Sequence, residues 1–382
     1  MLPSIVLRRY RTISSLVFLA LLWGPVTADV PIVRGEPAAV SRSDEPGRSY
    51  FVLVSCESDD EVAVVRLDVP SGEQKKPSAK LIERVTVGVW AIEMEGPHGI
   101  TVSPDGKHWY LSMAHGRPFG RVYKYTTGDN RLLGHVELGL FPATMQVSPA
   151  TGLLYVVNFN LHGDAVPSTV SVVDPEEMIE VARITTGVMP HGSRHSPDGL
   201  RHYSVAMMSH ELFEIDAVAL DVRRRLKLDT QVPGRMPKPT WVQLHPTRPL
   251  AYVVCSGSDE VLEVELNAWK IVRRFATPPG PYNVEVTPDG AKLVVTYKSD
   301  ASTGFWDLAG GSQLARLPNS RKVSHGIAIT PDSRYALVSV EGKGRQPGAV
   351  DVFDLTTLKR IATVEVGKQA GGIAFWKMTA RE

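Results

Sequence analysis

The chain has 382 residues, of which 43% are hydrophobic and 22% are charged, a composition typical of a soluble globular protein with enough length for a sizeable core. Its 42 Lys and Arg residues nearly balance its 41 Asp and Glu residues. This balance gives no indication of the strongly basic surface on which nucleic-acid binding depends, so we expect no nucleic-acid partner.

Residues 1–28 have the pattern of a secretory signal peptide. Three arginines precede a short apolar run, Ile13–Trp23, and small residues end the segment at Ala28, where we expect cleavage. An uncleaved anchor is the alternative, but the apolar run is short for a membrane span. Residues 29–48, rich in Pro, Gly and charge, are interpreted as a leader. The mature protein is therefore predicted to be periplasmic or secreted, with no membrane span after signal cleavage.

The remaining chain is organised by a recurring turn with the pattern Ser/Thr-Pro-Asp-Gly. Its copies and variants are Ser103–Gly106, Ser148–Thr151, Ser196–Gly199, His245–Thr247, Thr287–Gly290 and Thr330–Ser333. They recur about every 45 residues, and short apolar runs typical of antiparallel strands follow them. Repeats of this length with four strands each are typical of the blades of a β-propeller.

The first repeat, Ser49–Gly88, has three predicted strands and lacks the opening turn and the inner strand. The missing strand is found at the other end of the chain, where Gly371–Trp376 matches the inner strand of the second repeat. We therefore predict an all-β fold, a seven-bladed β-propeller over residues 49–382, closed by a C-terminal strand that completes the first blade. Each blade buries its faces against its neighbours, so the ring is expected to fold as one unit.

Histidines recur where the inner strands begin, at the end of the ring that we call the channel mouth. Three repeats have a His-Gly pair at this position, at His98, His191 and His325. His115 and His210 follow the second strand of their repeats, in loops that open on the same face. We expect these five side chains to lie at the mouth. The alternative is a structural role, in which each His hydrogen-bonds to the next blade.

This histidine set predicts a metal site. Three neutral imidazoles with an open fourth position suit a catalytic type of metal centre, and the thioethers of Met207 and Met208 favour copper. A haem-type ligand over the channel mouth is the alternative cofactor. Because strand residues alternate in direction, His98 can face the mouth only if the glycine after it bends the strand.

The same alternation predicts which side chains line the channel below the mouth. The expected channel residues, which would lie beneath a bound ligand and contribute to its binding, are Arg194, Glu285, Gln146 and Gln243. His195 has the parity of a packing residue and is interpreted as a buried structural histidine. His202 follows the turn of its repeat, and we expect it to be exposed.

The segment Tyr155-Val156-Val157-Asn158 resembles the Tyr-Val-x-Asn signature of YVTN-type β-propeller repeat proteins, and Tyr252-Val253-Val254 is similar to it. Together with the Ser-Pro-Asp-Gly turns, the resemblance covers nearly all of the predicted mature chain and implies the propeller fold. That superfamily includes binding proteins, lactonases and other hydrolases, and haem d1-binding propellers. The Pro-His-Gly segments look similar to the central histidines of copper- and haem-binding propellers. No complete catalytic set matches residue by residue, so the resemblance leaves the function open.

The sequence favours an exported propeller that binds a metal ion, with copper preferred, or a haem-type ligand at the mouth. Such a protein would act with a periplasmic partner in a redox system. The first alternative is a lactonase-like hydrolase that opens a small ester ring with His and Arg or Glu at the mouth. The second is a protein-interaction scaffold without a cofactor. Whether the protein is an enzyme is left open by the sequence, as are its ligand and its oligomeric state.

Overall fold

The computed structural model describes residues 46–72, 76–89, 94–115 and 119–381. The predicted signal peptide and residues 29–45 of the predicted leader lie outside the described residues. No helix within the described ranges has the length and apolar character needed to cross a membrane.

The described residues form an all-β ring of seven blades, each an antiparallel sheet of four strands. The first blade contains β1 (Gly47–Cys56), β2 (Glu61–Val69) and β3 (Ser78–Thr86). Blades two to four contain β4 (Pro97–Val102), β5 (His108–Met113), β6 (Arg121–Thr126), β7 (Leu132–Glu137), β8 (Pro142–Val147), β9 (Leu154–Asn158), β10 (Pro167–Asp174), β11 (Ile179–Val188), β12 (Pro190–His195), β13 (Arg201–Ala206), β14 (Glu211–Asp216) and β15 (Asp221–Lys227). Blades five to seven contain β16 (Pro239–Leu244), β17 (Leu250–Cys255), β18 (Glu260–Glu265), β19 (Lys270–Ala276), β20 (Pro281–Val286), β21 (Lys292–Tyr297), β22 (Ser302–Asp307), β23 (Gln313–Pro318), β24 (Val323–Ile329), β25 (Tyr335–Glu341), β26 (Ala349–Asp354) and β27 (Lys359–Glu365). The last strand is β28 (Ala370–Arg381).

The last strand closes the ring, as the sequence predicted. β28 pairs antiparallel with β1, with Val54 opposite Ile373 and Val52 opposite Phe375, so it is the inner strand of the first blade. The strand is longer than the predicted segment 371–376 and continues to Arg381. The seven-bladed propeller and its closure are therefore confirmed.

The apolar faces of neighbouring sheets pack together and form the core. Between the last and the first blade, Tyr50, Leu337 and Val352 are buried in one cluster with residues of β28. Burial of a side chain of this size contributes about 1.5–3 kcal/mol. The core is thus divided among the blade interfaces, and each interface depends on both of its blades.

The recurring turns are stabilised by their own side chains. In the fourth blade the Ser196 hydroxyl donates a hydrogen bond to the Asp198 carboxylate at 2.5 Å and accepts one from the Arg201 backbone N–H at 3.0 Å. Gly199 takes the left-handed conformation that glycine tolerates, with φ at 72°. In the fifth blade His245 replaces the serine, and its Nδ1 accepts two backbone N–H groups of the turn. These turns lie at one end of the inner strands. The other end of each inner strand, where the strand begins, therefore lies at the channel mouth.

Candidate functional site

An irregularity at the start of the inner strands determines where the three predicted histidines lie. The strand register shifts within segments 97–100, 190–193 and 324–327, each of which contains a His-Gly pair. A bulge of this kind breaks the alternation of side-chain direction and can aim a residue away from the packing face. A Cβ atom on Gly99 would lie 1.6 Å from the Ala143 carbonyl oxygen, so only glycine allows this close approach of the next inner strand.

The three histidines of the inner strands lie close together. The ring centroid of His98 is 5.8 Å from that of His325 and 6.4 Å from that of His191. Phe141 and Phe159 surround this group, because Phe141 contacts His98 at 5.2 Å and Phe159 contacts His191 at 4.7 Å between ring centroids. The mouth therefore combines imidazole rings with an aromatic wall.

A buried carboxylate, Glu57, joins two of the imidazoles. Its Oε1 accepts hydrogen bonds from His98 Nδ1 at 3.0 Å and from His115 Nε2 at 3.3 Å, and its other oxygen accepts the Gln369 amide. Burial alone would raise the pKa of Glu57, but the neighbouring His98 and His115 lower it to about 2. The hydrogen bond that His115 donates to Glu57 in turn raises the pKa of His115. Glu57 is therefore an anion that favours protonation of His115.

His115 is the most accessible imidazole of this group. Its side chain is 38% exposed, whereas that of His98 is 12% exposed. His115 also contacts His162, with ring centroids 5.9 Å apart, and both rings lie against Phe141. The His115 ring is therefore more open to a molecule from solvent than the His98 ring.

His191 is buried and fully hydrogen-bonded. Its Nδ1 donates to the Thr240 carbonyl oxygen at 2.9 Å, which leaves Nε2 as an acceptor for the Tyr282 hydroxyl at 3.1 Å. Burial lowers the pKa of His191 to about 3, so the ring stays neutral at ordinary pH. The His191 ring therefore orients Tyr282 and has no free nitrogen for a ligand in this arrangement.

A lysine and a carboxylate lie at the mouth beside Tyr282 and His325. Lys298 Nζ lies 4.2 Å from the ring centroid of Tyr282 and 3.7 Å from Glu341 Oε1. Glu341 Oε1 is also 3.8 Å from His325 Nε2. Burial lowers the pKa of Lys298, but Tyr282, Glu341 and Glu57 together raise it above its usual value, so Lys298 is a cation. Burial lowers the pKa of His325 well below its usual value.

Three of the four predicted channel residues, Arg194, Glu285 and Gln243, form a polar network below the mouth. Arg194 Nη2 donates to Glu285 Oε1 at 2.6 Å, the Gln243 amide donates to the other Glu285 oxygen, and Gln146 accepts the His195 backbone N–H at 2.8 Å. The cavity beside this network, which Arg194, His98 and His325 help to line, has a volume of about 40 Å³. That volume holds about three water molecules, so a larger ligand has to lie above it, at the mouth.

The structure separates two other histidines from this group. His210 accepts the Lys238 backbone N–H at 3.3 Å, and no ring contact joins it to the other mouth histidines in the described part of the chain. His202 is fully buried, so its predicted exposure is wrong. Its neighbour His195 is only 6% exposed, which confirms the prediction of a buried histidine.

Within the described ranges, no group of three or more His, Cys, Asp or Glu side chains is arranged to hold a metal ion. The hydrogen bonds at both ring nitrogens of His191 give a physical reason. The copper or haem-type ligand therefore stays a prediction.

Sequence reasoning missed Glu57, Lys298 and Glu341, although a repeat signal was available. All three occupy one repeat position, the first residue after the strand partner of the residue that precedes the His98 position of each repeat. In blades two to four, the residues at this position are Ala114, Phe159 and Met207. Alignment of the repeats at this position would have revealed charged residues in blades six, seven and one and apolar residues in blades two to four.

Comparisons with solved structures identify similar propellers. The periplasmic gluconolactonase PpgL of Pseudomonas aeruginosa matches with a TM-score of 0.68 and 18% identity, over 86% of this chain and 99% of that chain. A proposed 6-phosphogluconolactonase from Bacteroides fragilis matches with a TM-score of 0.66 and 14% identity, over 90% and 100% of the two chains. Hydrazine synthase of Kuenenia stuttgartiensis matches with a TM-score of 0.59 and 22% identity, over 70% and 80%.

These likenesses define the class of fold, a seven-bladed β-propeller. No family model matches the chain, and no curated protein matches it significantly. The YVTN-type repeat family therefore stays a resemblance.

Proposed function

We propose that the protein hydrolyses a lactone at the channel mouth. The observation that carries this proposal is the buried Glu57 carboxylate, which binds the accessible His115 ring and holds it as a general base. The similar solved structures, which include a periplasmic gluconolactonase, support the same class of reaction. We therefore favour the sequence-based alternative of a lactonase-like hydrolase over the metal-binding alternative.

The proposed reaction begins with the His115–Glu57 pair. Because His115 Nε2 donates to Glu57, the neutral ring has its lone pair on Nδ1. That nitrogen takes a proton from a water molecule as the water oxygen bonds to the lactone carbonyl carbon. The Glu57 anion stabilises the imidazolium that forms. The ring C–O bond then breaks, the proton passes from His115 to the departing alkoxide, and the product is a hydroxy acid.

Lys298 supplies positive charge for the intermediate. The carbonyl oxygen becomes an oxyanion when water adds, and an ammonium group near it stabilises that charge. Lys298 has an exposed side-chain fraction of 36% and is oriented by the Tyr282 ring and Glu341. In this proposal Tyr282 is a positioning residue, because its hydroxyl proton is donated to His191.

The replacement His115→Gln tests the proposal. The glutamine amide can still donate to Glu57, but it cannot take a proton, so we expect the kcat for a reactive δ-lactone to fall about 10²- to 10⁴-fold. His162→Gln is the matched control, because His162 lies beside His115 and has no hydrogen bond to Glu57 among the described contacts. Hydrolysis is followed by acid release in a weakly buffered indicator assay. Equal activity of His115→Gln and wild type would contradict the proposal.

Copper binding is the second candidate function. It is favoured by the short distances between the ring centroid of His98 and those of His325 and His191. A copper ion could bind His191 Nε2 only if the Tyr282 hydroxyl released this nitrogen. Untagged protein loaded with Cu²⁺ and dialysed would retain about one equivalent, and His98→Ala would lose it. Retention by His98→Ala equal to that of wild type would contradict a site at these histidines.

We also propose that the protein is exported to the periplasm or the exterior and acts there with a periplasmic partner protein. The predicted cleavage after Ala28 is tested by intact-mass measurement of the protein produced in a Gram-negative host. A mature chain that begins at Asp29 is the expected result. A retained residue 1 on cytoplasmic protein would contradict export.

A further inference from the structure

The channel mouth has two chemically different halves. At the repeat position at or just after the end of the second strand, blades six, seven and one carry Lys298, Glu341 and Glu57. The same position in blades three and four carries Phe159 and Met207. We call these the charged half and the apolar half of the mouth.

A second ring of positions agrees with this division in blades three and four. The residue before the start of the inner strand has a positive φ in six blades. In blades three and four it is apolar, Phe141 and Met189, whereas in blades five and one it is polar, Lys238 and Gln369. Phe141, Phe159, Met189 and Met207 belong to one apolar cluster at the mouth, apart from the interfaces between blades. Two positions in the repeat are therefore both apolar in blades three and four.

The rim above the apolar half is exposed and apolar as well. Phe119 is 54% exposed, Leu161 is 41% exposed and Met208 is 48% exposed, and all three lie in mouth-side loops of blades two to four. Leu161 adjoins His162, whose ring contacts both His115 and Phe141. Apolar side chains grouped beside a polar site usually mark a binding surface.

We propose that the mouth binds an amphipathic lactone, with the ester ring over the charged half and an unsubstituted alkyl chain over the apolar half. This inference rests on the proposed function and adds the class of substrate. The Glu57–His115 pair and Lys298 fit the polar ring. Phe141, Phe159 and the rim fit a chain of several methylene groups, which a polyhydroxylated sugar lactone lacks.

A series of δ-lactones with one ring and chains of different length tests this division. δ-Valerolactone has no side chain, δ-octalactone has a three-carbon chain, and δ-decalactone has a five-carbon chain. Each methylene that is buried on the apolar half is expected to raise kcat/KM by up to about fourfold. Glucono-δ-lactone, which is polar throughout, is expected to react no faster than δ-valerolactone.

The double replacement Leu161→Ser with Met208→Ser locates the chain. Both side chains are exposed, so the fold should be retained. The variant is expected to lose most of the preference for δ-decalactone while its kcat/KM for δ-valerolactone stays within about twofold. Val218→Ser is the matched control, because Val218 is 69% exposed in the turn between β14 and β15, at the opposite end of the strands.

Direct binding separates this inference from the proposed function. The affinity for 5-hydroxydecanoate, the product of δ-decalactone, is measured by titration calorimetry and compared with that for 5-hydroxypentanoate. If no lactone is hydrolysed but the longer acid binds more tightly and loses this advantage in the double variant, the hydrolase proposal fails and the amphipathic site stands. If hydrolysis occurs without any dependence on chain length, the amphipathic site fails. If the wild type is a dimer and the double variant is a monomer, the amphipathic site is also overturned, because a second copy of the chain would then cover the rim.

Discussion

The buried pair His195 and His202 is expected to make the propeller sensitive to acid. Their ring centroids are 4.4 Å apart, and both rings contact Tyr155 at 4.7 Å. Among the described residues, neither ring nitrogen of His202 has a hydrogen-bond partner, and His195 Nε2 has none. Burial lowers the pKa of His195 to about 4 and that of His202 well below its usual value.

The magnitude follows from the difference in proton binding between the two states. In the unfolded chain both histidines have a pKa of about 6.5, whereas in the folded protein both are largely neutral at pH 5. At pH values between the pKa in the unfolded chain and the lower pKa in the folded protein, the unfolded state binds more protons than the folded state. The free energy of unfolding therefore falls as the pH falls below about 6.5. From pH 7.5 to pH 5, each such histidine lowers it by about 2 kcal/mol.

The replacement His202→Phe isolates this contribution. Phenylalanine keeps a flat ring against Tyr155 and cannot be protonated. Urea unfolding, followed by circular dichroism and tryptophan fluorescence, gives the free energy of unfolding at pH 7.5 and pH 5.0. From pH 7.5 to pH 5.0 the free energy of unfolding of the variant is expected to fall by about 2 kcal/mol less than that of wild type.

His135→Gln is the control, because it also removes one histidine, but from an exposed position on β7, so it tests whether the effect requires the loss of a buried histidine. At each pH, agreement between the transition followed by circular dichroism and that followed by tryptophan fluorescence checks that unfolding is two-state. If His202→Phe has the same pH dependence as wild type, the reasoning from burial is refuted.

Three further predictions address closure, packing and the catalytic pair. Removal of residues 371–382 is expected to abolish cooperative melting at the full-length temperature, because it deletes nearly all of the inner strand of the first blade; calorimetry checks this. Gly99→Ala is expected to lower the free energy of urea unfolding by at least about 2 kcal/mol, because its Cβ would meet a backbone oxygen at 1.6 Å, while Gly134→Ala has space and should change it little. Because Glu57 raises the pKa of His115, lactone hydrolysis in wild type should decline with falling pH from a midpoint above 6.5, and Glu57→Gln should move that midpoint lower in a pH–rate profile.

The ring was predictable because its signals are local and repeated. The Ser-Pro-Asp-Gly turns fix the hairpin between the first two strands of a blade with side-chain hydrogen bonds inside the turn, as at Ser196 and Asp198. The absence of an inner strand in the first repeat indicated the role of β28. These features need no knowledge of contacts between distant residues.

The exposure of His202 was predicted wrongly because of a one-residue offset. His202 lies at the position that Trp109 occupies in the second blade, next to Tyr203 in place of Tyr110, and both His202 and Trp109 are fully buried. His210 illustrates another limit, because its backbone has a positive φ of 55° and its ring bonds to the adjoining loop. Local conformation of this kind is not visible in the repeat pattern.

The composition of the mouth was harder to predict because its members come from different blades. Glu57 follows β1, His98 lies in β4 and Lys298 follows β21, so they are far apart in the chain and meet only after the ring closes. A propeller repeats one backbone seven times, but each blade contributes a single side chain at each level of the channel. Function at such a site therefore depends on how unlike residues are distributed around a ring of equivalent positions. Here that distribution places carboxylates and an ammonium group on one side and aromatic and thioether groups on the other, which is the arrangement that an amphipathic ester would require.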